Sequence, residues 1–452
     1  MTEVRVAHFP SGIFHRVEVD RVSIPQEKLN LSKKTRNNPL PWNGQFSPQL
    51  VEELIKYFAS SKSFVLDPFL GSGTVLYEAI RSGHLALGMD INPASVYLSR
   101  IYLLANLPTK ERQKVLYDVE LFVKEVALFP QLVEGSSRIY QRIVQKVESS
   151  SLPQRFLLLA LGTLLPGPNE SAPKVIDKLQ KIWFGKIKPL VESLPYTQNQ
   201  LWVCQGDARK IPLEPSTVDL VITSPPYINV HNYHQQHRAS VEALCGTSLL
   251  GVARAEIGSN RRNRQNRFLT VVQYAIDMAM VLCEIKRVLK AAGKVIVIIG
   301  RESTVEGVAV NNSELVAEIA HEIVELDLLR RYERFFVNKY GRKIYEDILV
   351  FQPKSTKCQQ LRGTNQEMGA ILNEARNLGR KVLESLKTAV EDERTLAKIE
   401  TAVTRSDAII PSPLLESCTC SGANVTLEVK NSCSLFTDFT FTNPTFRTLT
   451  LD

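Results

Sequence analysis

The chain has seven cysteines (Cys204, Cys245, Cys283, Cys358, Cys418, Cys420 and Cys433) but no Cys-x-x-Cys pair, which argues against a zinc site or a dithiol redox centre. Scattered thiols of this kind are expected to be reduced, in an intracellular protein. Long apolar runs are also missing. RFLLLALGTLLPG and VIVIIG are the longest, and a bilayer span needs about 20 apolar residues. The opening stretch, MTEVRVAHFPSG, lacks the apolar core of a signal peptide, so a soluble, cytoplasmic protein is expected. There is no internal repeat, and no Gly-Lys-Ser/Thr that would make a phosphate-binding P-loop. Strong charge is absent too: 55 Lys and Arg against 47 Asp and Glu leave a net +8, which permits an anionic partner without demanding one.

What is present centres on residues 64–92, FVLDPFLGSGTVLYEAIRSGHLALGMDIN. Phe64–Leu66 reads as a short apolar strand and Gly71-Ser72-Gly73-Thr74 as a glycine-rich turn. Val75, Leu76, Ala79 and Ile80 have helical spacing, with Gly83 as the C-terminal stop. A second apolar run, Leu85–Met89, ends in Asp90. Strand, glycine loop, helix, strand and acid make half of an open α/β sheet, with a ligand crevice at the strand ends.

Around this unit, residues 1–40 read as an N-terminal extension with a few β-like pieces and a basic link. Ser47-Pro48 then starts a helix to about Phe58, Ser47 capping it and Leu50, Leu54 and Tyr57 sharing a face. Residues 100–198 are helical by pattern and too long for a connection within a sheet, hence an insertion. The sheet resumes at Leu201–Asp207, then at Val218–Thr223, which stops at the double proline of Ser224-Pro225-Pro226-Tyr227. Residues 228–270 read as a polar, basic loop. A helix over Val271–Leu289, a turn at Ala292-Gly293, the strand KVIVIIG, a helix from Ser313 to about Leu328 and two antiparallel strands complete a catalytic unit over 41–353. Residues 354–452 form a C-terminal extension, helical and then rich in Ser and Thr.

Three acids, Asp67, Asp90 and Asp207, fall at or just beyond three strand ends. In such a sheet an acid after the second strand can accept ribose hydroxyls, and one after the third can accept an adenine amine. Glycines let backbone approach the ligand. At the fourth strand end, Ser224 offers an acceptor, the prolines hold carbonyl oxygens outward, and Tyr227 offers a flat face for a base. An exocyclic amine held by two such acceptors turns its lone pair toward an electrophile.

DPFLGSGT, GMDIN, GDARKIPL and VDLVITSPPY, in that order, resemble the S-adenosylmethionine-dependent amino-methyltransferases of DNA, particularly the N4-cytosine branch. The resemblance covers about 40–100 and 200–353. It implies a Rossmann-like α/β sheet, mostly parallel with an antiparallel final strand, carrying the helical insertion and the C-terminal extension. It further implies S-adenosylmethionine held by Phe46, Asp67, Pro68, Phe69, Gly71, Gly73, Thr74, Asp90 and Asp207, with Ser224, Pro225, Pro226 and Tyr227 as the catalytic set holding the flipped base. Transfer is then direct; C5 methylation would need a nucleophilic cysteine, typically after proline, and no Pro-Cys dipeptide exists. The N6-adenine branch usually carries Asp or Asn where this chain has Ser224. Double-stranded DNA is the implied partner, in a prokaryotic cytoplasm at the nucleoid, with a cognate restriction endonuclease if the chain is the modification half of a restriction system.

Here the cofactor motifs precede SPPY, the reverse of many N4-cytosine enzymes, so the target-recognition region is open among three segments. In 228–270, Arg254, Arg261, Arg262, Arg264 and Arg267 suit phosphates and base edges; the insertion and the C-terminal extension compete. His231, His234 and His237 lack an acidic partner in sequence and are expected at the surface or against substrate, not on a metal. An RNA base methyltransferase and a non-catalytic nucleic-acid-binding protein are the alternatives.

Overall fold

The structure, a computed structural model, describes residues 12–31, 35–128, 136–229, 232–259, 263–337, 341–354, 365–415, 419–422 and 425–428. Five parallel strands form its centre: β1 (Phe64–Asp67), β2 (Leu85–Asp90), β3 (Leu201–Gln205), β4 (Val218–Thr223) and β5 (Leu289–Gly300). A hairpin follows, β6 (Glu302–Val305) and β7 (Val308–Asn311), and then β8 (Leu326–Val337) and β9 (Lys343–Pro353). β10 (Thr419–Gly422) and β11 (Val425–Glu428) come last. The main sheet runs β11-β10-β3-β2-β1-β4-β5-β9-β8. β9 is antiparallel to both β5 and β8, and β10 is antiparallel to β3. This is the expected mostly parallel, Rossmann-like sheet with an antiparallel edge.

Side chains of the strands alternate between two cores, as the period of two requires. Val65, Leu220, Ile296, Ile298, Ile348 and Val350 enter one; Leu66, Val221, Val295, Val297, Leu349 and Phe351 enter the other. The first core is covered by the helices Pro48–Phe58 and Thr74–Arg81 and by the inserted helices, of which Leu152–Leu164 and the following Trp183 are among the most buried parts. The second is covered by the helix Leu269–Val288 and by two C-terminal helices, Asn365–Leu386 and Glu393–Arg405. The C-terminal extension is thus, as far as Leu415, a layer of the fold.

Several local expectations are revised. Ser47 occupies the N-cap but makes no side-chain cap; its carbonyl accepts from Leu50 and Val51 while its hydroxyl is buried. Tyr57 is exposed rather than on the buried face. The helix Thr74–Arg81 is buried all round, because Glu78 is neutralised by Arg36 and Arg81. β5 begins at Leu289 without a break at Ala292-Gly293, the misfit being taken up by a register shift against β4 between Val218 and Leu220. The helix expected to reach Leu328 ends at Glu318 and gives way through a wider turn, Ile319–Ile323, to β8. Residues 12–31 form two short helices and a single bridge from Val19 to Arg331. Cys204 is disulfide-bonded, against the expectation of reduced thiols, its partner lying outside the described side chains, whereas Cys245 and Cys283 are free. No helix among the described residues is long and apolar enough to cross a membrane.

The C-terminal layer offers a stability test. A Cβ on Gly379 would lie 2.8 Å from Val272 Cα, so the two helices touch backbone to backbone. Gly379→Val is expected to lower stability by about 1–3 kcal/mol through overpacking, read by urea denaturation. Unchanged stability would mean the layer is loosely docked.

Candidate active site

The strand ends of β1, β2 and β4 open into one cleft enclosing about 840 Å³, its open mouth included, a size suited to a nucleoside-scale ligand. Of the residues expected to hold cofactor, Phe46, Pro68, Phe69, Gly71, Thr74, Asp90 and Asp207 line it, as do Ser224 and Pro226 of the catalytic set.

The glycine loop is shaped by what surrounds it. Gly71 and Gly73 have φ of 52° and 80°, left-handed values that favour glycine. A Cβ on Gly73 would lie 2.7 Å from the Tyr102 ring and 2.8 Å from Ser99 Oγ, and one on Gly71 would lie 3.0 Å from the Trp42 ring. The Gly71 N–H donates to Asp90 Oδ2 (2.9 Å), and the Gly71 carbonyl accepts from Ser95 Oγ (2.5 Å). Asp90 Oδ1 accepts from the Asn92 N–H (2.9 Å). Asp90 therefore sets the loop as well as facing the cleft. Burial pushes its carboxyl up to about 6.

Asp67 lies behind the loop, 1% exposed. Its Oδ1 accepts from Thr223 Oγ1 (2.7 Å), tying the end of β1 to the end of β4, and from the Phe69 N–H (3.1 Å). Its Oδ2 is buried without a hydrogen-bond partner. Burial pushes this carboxyl up to about 7, against the pull of those two hydrogen bonds. A buried carboxylate oxygen left open beside a cleft is a place for a cation.

Asp207 stands apart from the expected free acceptor. Arg209 grips both its oxygens, Nε to Oδ1 at 2.9 Å and one terminal nitrogen to Oδ2 at 2.7 Å, and the Leu415 N–H also donates to Oδ2 (3.1 Å). It borders the cleft with its orientation fixed and with only its remaining lone-pair directions available.

Tyr227 turns away from the cleft lining toward the far end of β5. Its ring packs on Gly300, where a Cβ would lie 2.7 Å from Tyr227 Cε2, and its hydroxyl donates to Glu346 Oε1 at 3.4 Å on β9. Burial, and then the Glu346 carboxylate, push this phenol well above its ordinary value. Pro225 is buried beneath.

Beyond Phe46, which the sequence already placed at the crevice, other residues of the site were not visible to sequence reasoning. A strap, Trp42–Phe46, roofs the loop: Ser72 Oγ donates to Gln45 Oε1 (2.5 Å), and the Asn43 N–H to Gln236 Oε1 (2.8 Å). From 228–270, expected as a basic loop, come the short helices Arg238–Cys245 and Leu250–Ala255 and the cleft residues Tyr233, Val252, Ala255, Glu256 and Ile257. His234 is buried rather than at the surface; its N–H donates to Glu256 Oε1 (2.9 Å) and its Nδ1 lies 2.7 Å from Oε2. Arg254 and Arg264 are exposed, and Arg267 is half-buried with its N–H on Glu306. Arg261, Arg262 and His231 lie outside the described residues.

The residues present fit S-adenosylmethionine. Its ammonium and sulfonium charges match the cleft acids Asp90 and Glu256, with Asp67 buried behind the loop, and the rings of Trp42, Phe46, Phe69 and Tyr233 suit a sulfonium and an adenine. Burial makes the protonated Asp67 the favoured form in the fold. Its share of stability is therefore complete below its solution value of 3.8 and is lost as pH rises through about 7. A cation bound at Asp67 requires the carboxylate. Its affinity is expected to rise by up to about tenfold per pH unit between pH 5 and 7 and to lose that dependence in Asp67→Asn. Calorimetric titration with S-adenosylmethionine across pH 5–8 checks this, and a flat wild-type profile would refute it.

Among known proteins, residues 18–100 match the DNA methylase family of N6/N4 methyltransferases. The Type II methyltransferase M.MjaII of Methanocaldococcus jannaschii is 32% identical over 99 residues, 21% of this chain and 18% of that relative. An S-adenosylmethionine-dependent methyltransferase structure from Methanosarcina mazei shares 10% identity over 66% of this chain and 96% of its own, with a TM-score of 0.30. One from Aquifex aeolicus shares 12% over 73% and 99%, with a TM-score of 0.26. Structural likenesses of that size carry no argument about function. The family match spans the strap, the glycine loop, Asp67 and Asp90, and the chain spans less than a fifth of the length of the Type II relative.

Proposed function

We propose that this chain methylates DNA, transferring a methyl group from S-adenosylmethionine to the exocyclic N4 amine of cytosine. The observation that carries the reading is the meeting, in one cleft, of the glycine loop with the strand end that holds Ser224 and Pro226. Asp67, Asp90 and the strap would hold the cofactor, which supplies an electrophilic methyl group when bound. Ser224 Oγ and the Pro225 carbonyl would accept the two N–H bonds of the target amine and aim its lone pair inward. Tyr227, immobilised by Gly300 and Glu346, would present its ring to the extruded base. Methylation leaves the amine with one proton too many, which passes to water.

Ser224, where the adenine branch usually has Asp or Asn, supports cytosine over adenine. The Type II relative makes a restriction–modification setting, with a cognate endonuclease, the matching biological reading. Exposed Arg254 and Arg264 are the described cations of 228–270 placed to meet phosphate. RNA methylation is the second reading, favoured by no particular residue.

Incubation with duplex DNA and labelled S-adenosylmethionine is expected to place label in N4-methylcytosine on nucleoside analysis; label only in N6-methyladenine or only in RNA refutes the assignment. Ser224→Ala is expected to lower transfer by about 10²-fold or more while cofactor affinity stays within twofold. Tyr227→Ala with full activity would refute the stacking role.

A further inference from the structure

The tip of the β8–β9 hairpin carries large apolar side chains into solvent: Phe336 is 38% exposed, Val337 58%, Ile344 36% and Tyr345 39%. Exposed apolar residues clustered on a strand end invite unwanted association and are kept where they have a partner. The register of the sheet says where this cluster lies. Glu346 pairs with Gly300 on β5 and with Arg334 on β8, and Phe336 pairs with Ile344. Side chains alternate in a strand, so Arg334, Phe336, Ile344 and Glu346 share one face. That face also carries Tyr227, whose ring covers Gly300 and whose hydroxyl reaches Glu346. At a rise of about 3.3 Å per residue, the Phe336–Ile344 pair stands two residues, about 6.6 Å, along the strand beyond Tyr227's anchor.

Two exposed cations flank it, Arg342 and Lys343, the latter with Nζ 4.7 Å above the Phe335 ring. Arg334, 5.8 Å from the Phe336 ring, and Arg301, 5.2 Å from the Tyr345 ring, are paired respectively with Glu346 and with Glu333 and Asp347. Aromatic and aliphatic side chains interleaved with cations are what nucleic acid meets: rings and wedges for base steps, cations for phosphates. A second copy of the chain would meet the same cations and gain nothing from them.

We propose that this hairpin tip is a DNA-contacting element in which Phe336 and Ile344 press against the duplex beside the nucleotide presented to Tyr227, occupying stacking surface that base extrusion vacates, while Arg342 and Lys343 meet the flanking phosphates. This rests on the DNA reading above and adds to it the side from which the duplex approaches.

The test pairs Phe336→Ser/Ile344→Ser with Phe336→Leu/Ile344→Leu, both at exposed positions, in the full chain. On duplex genomic DNA the serine pair is expected to raise KM for DNA at least tenfold with the Kd for S-adenosylmethionine unchanged, and the leucine pair to stay within about twofold of wild type. The photoreactive residue p-benzoylphenylalanine in place of Phe336 is expected to cross-link to that DNA. A serine pair with wild-type KM and no cross-link, while the wild type methylates DNA, would overturn the hairpin's role alone. Concentration-dependent dimerisation abolished by the serine pair would assign the patch to a second copy and overturn it too. A wild type that methylates no DNA would overturn the DNA reading and this occupant with it.

Discussion

The buried guanidinium of Arg209 holds together pieces of chain that are far apart in sequence. It donates to Asp207, Asp277, and the carbonyls of Ala255, Ser412 and Pro413. Its side chain is wholly buried, as is Asp277's, and that of Asp207 nearly so. Removing one partner of such a cluster leaves an uncompensated charge in the interior, at a cost of about 3–5 kcal/mol. The third acid of the sheet, a wall of the cleft, the long helix Leu269–Val288 and the segment after the last helix are therefore one unit. That segment is further held by the Ser412 N–H on Asp277 and the Leu415 N–H on Asp207. The C-terminal extension thereby belongs to the cleft's architecture, although none of its described residues lines it.

The fold gives both oxygens of Asp207 partners and leaves one oxygen of Asp67 without any. An unpaired buried acceptor costs about 1–3 kcal/mol, and the raised affinity of Asp67 for a proton is how the fold limits that cost in the absence of a cation. Asp90 lies between these extremes, giving one oxygen to the Gly71 N–H and the other to Asn92 while still facing the cleft. The three acids look equivalent as strand-end carboxylates in sequence. Their surroundings give them three different electrostatic states, and only Asp67 keeps a buried oxygen without a partner.

What was legible in the sequence is what local chemistry determines. Strands β1, β2 and β4, the left-handed glycines 71 and 73, and the strand-ending prolines 225 and 226 follow from period, φ and missing donors over a few residues. The missed features depend on partners well apart in sequence, from 22 positions to some two hundred. Asn43 meets Gln236, His234 answers to a Glu256 that no short motif links to it, and the grip of Arg209 on Pro413 crosses some two hundred positions. Polarity misled at 228–270 for the same reason: its arginines drew attention, while Val241, Leu244, Val252 and Ile257 anchor the segment in the two cores. The β6–β7 hairpin was missed although Glu306-Gly307, both at positive φ, is a tight-turn pair.

The insertion after β2 also determines which side of the crevice stays open. Its helix Leu152–Leu164 and the turn after it brace the helix Arg238–Cys245: a Cβ on Gly162 would lie 2.9 Å from Leu244, and Ser240 Oγ donates to the Leu165 carbonyl at 2.7 Å. The braced segment carries Tyr233, whose carbonyl accepts from Asn92 Nδ2, and which with the strap at Trp42–Phe46 closes the crevice over β1 and β2. No comparable cover lies over the other half among the described residues. There β5 ends at Gly300 under Tyr227, and the five residues 341–345 that lead into and open β9 are exposed. A sheet built this way covers the crevice on the side where its acids lie and leaves the SPPY end facing outward, the asymmetry that the proposed pairing of a nucleoside cofactor with a polymer calls for.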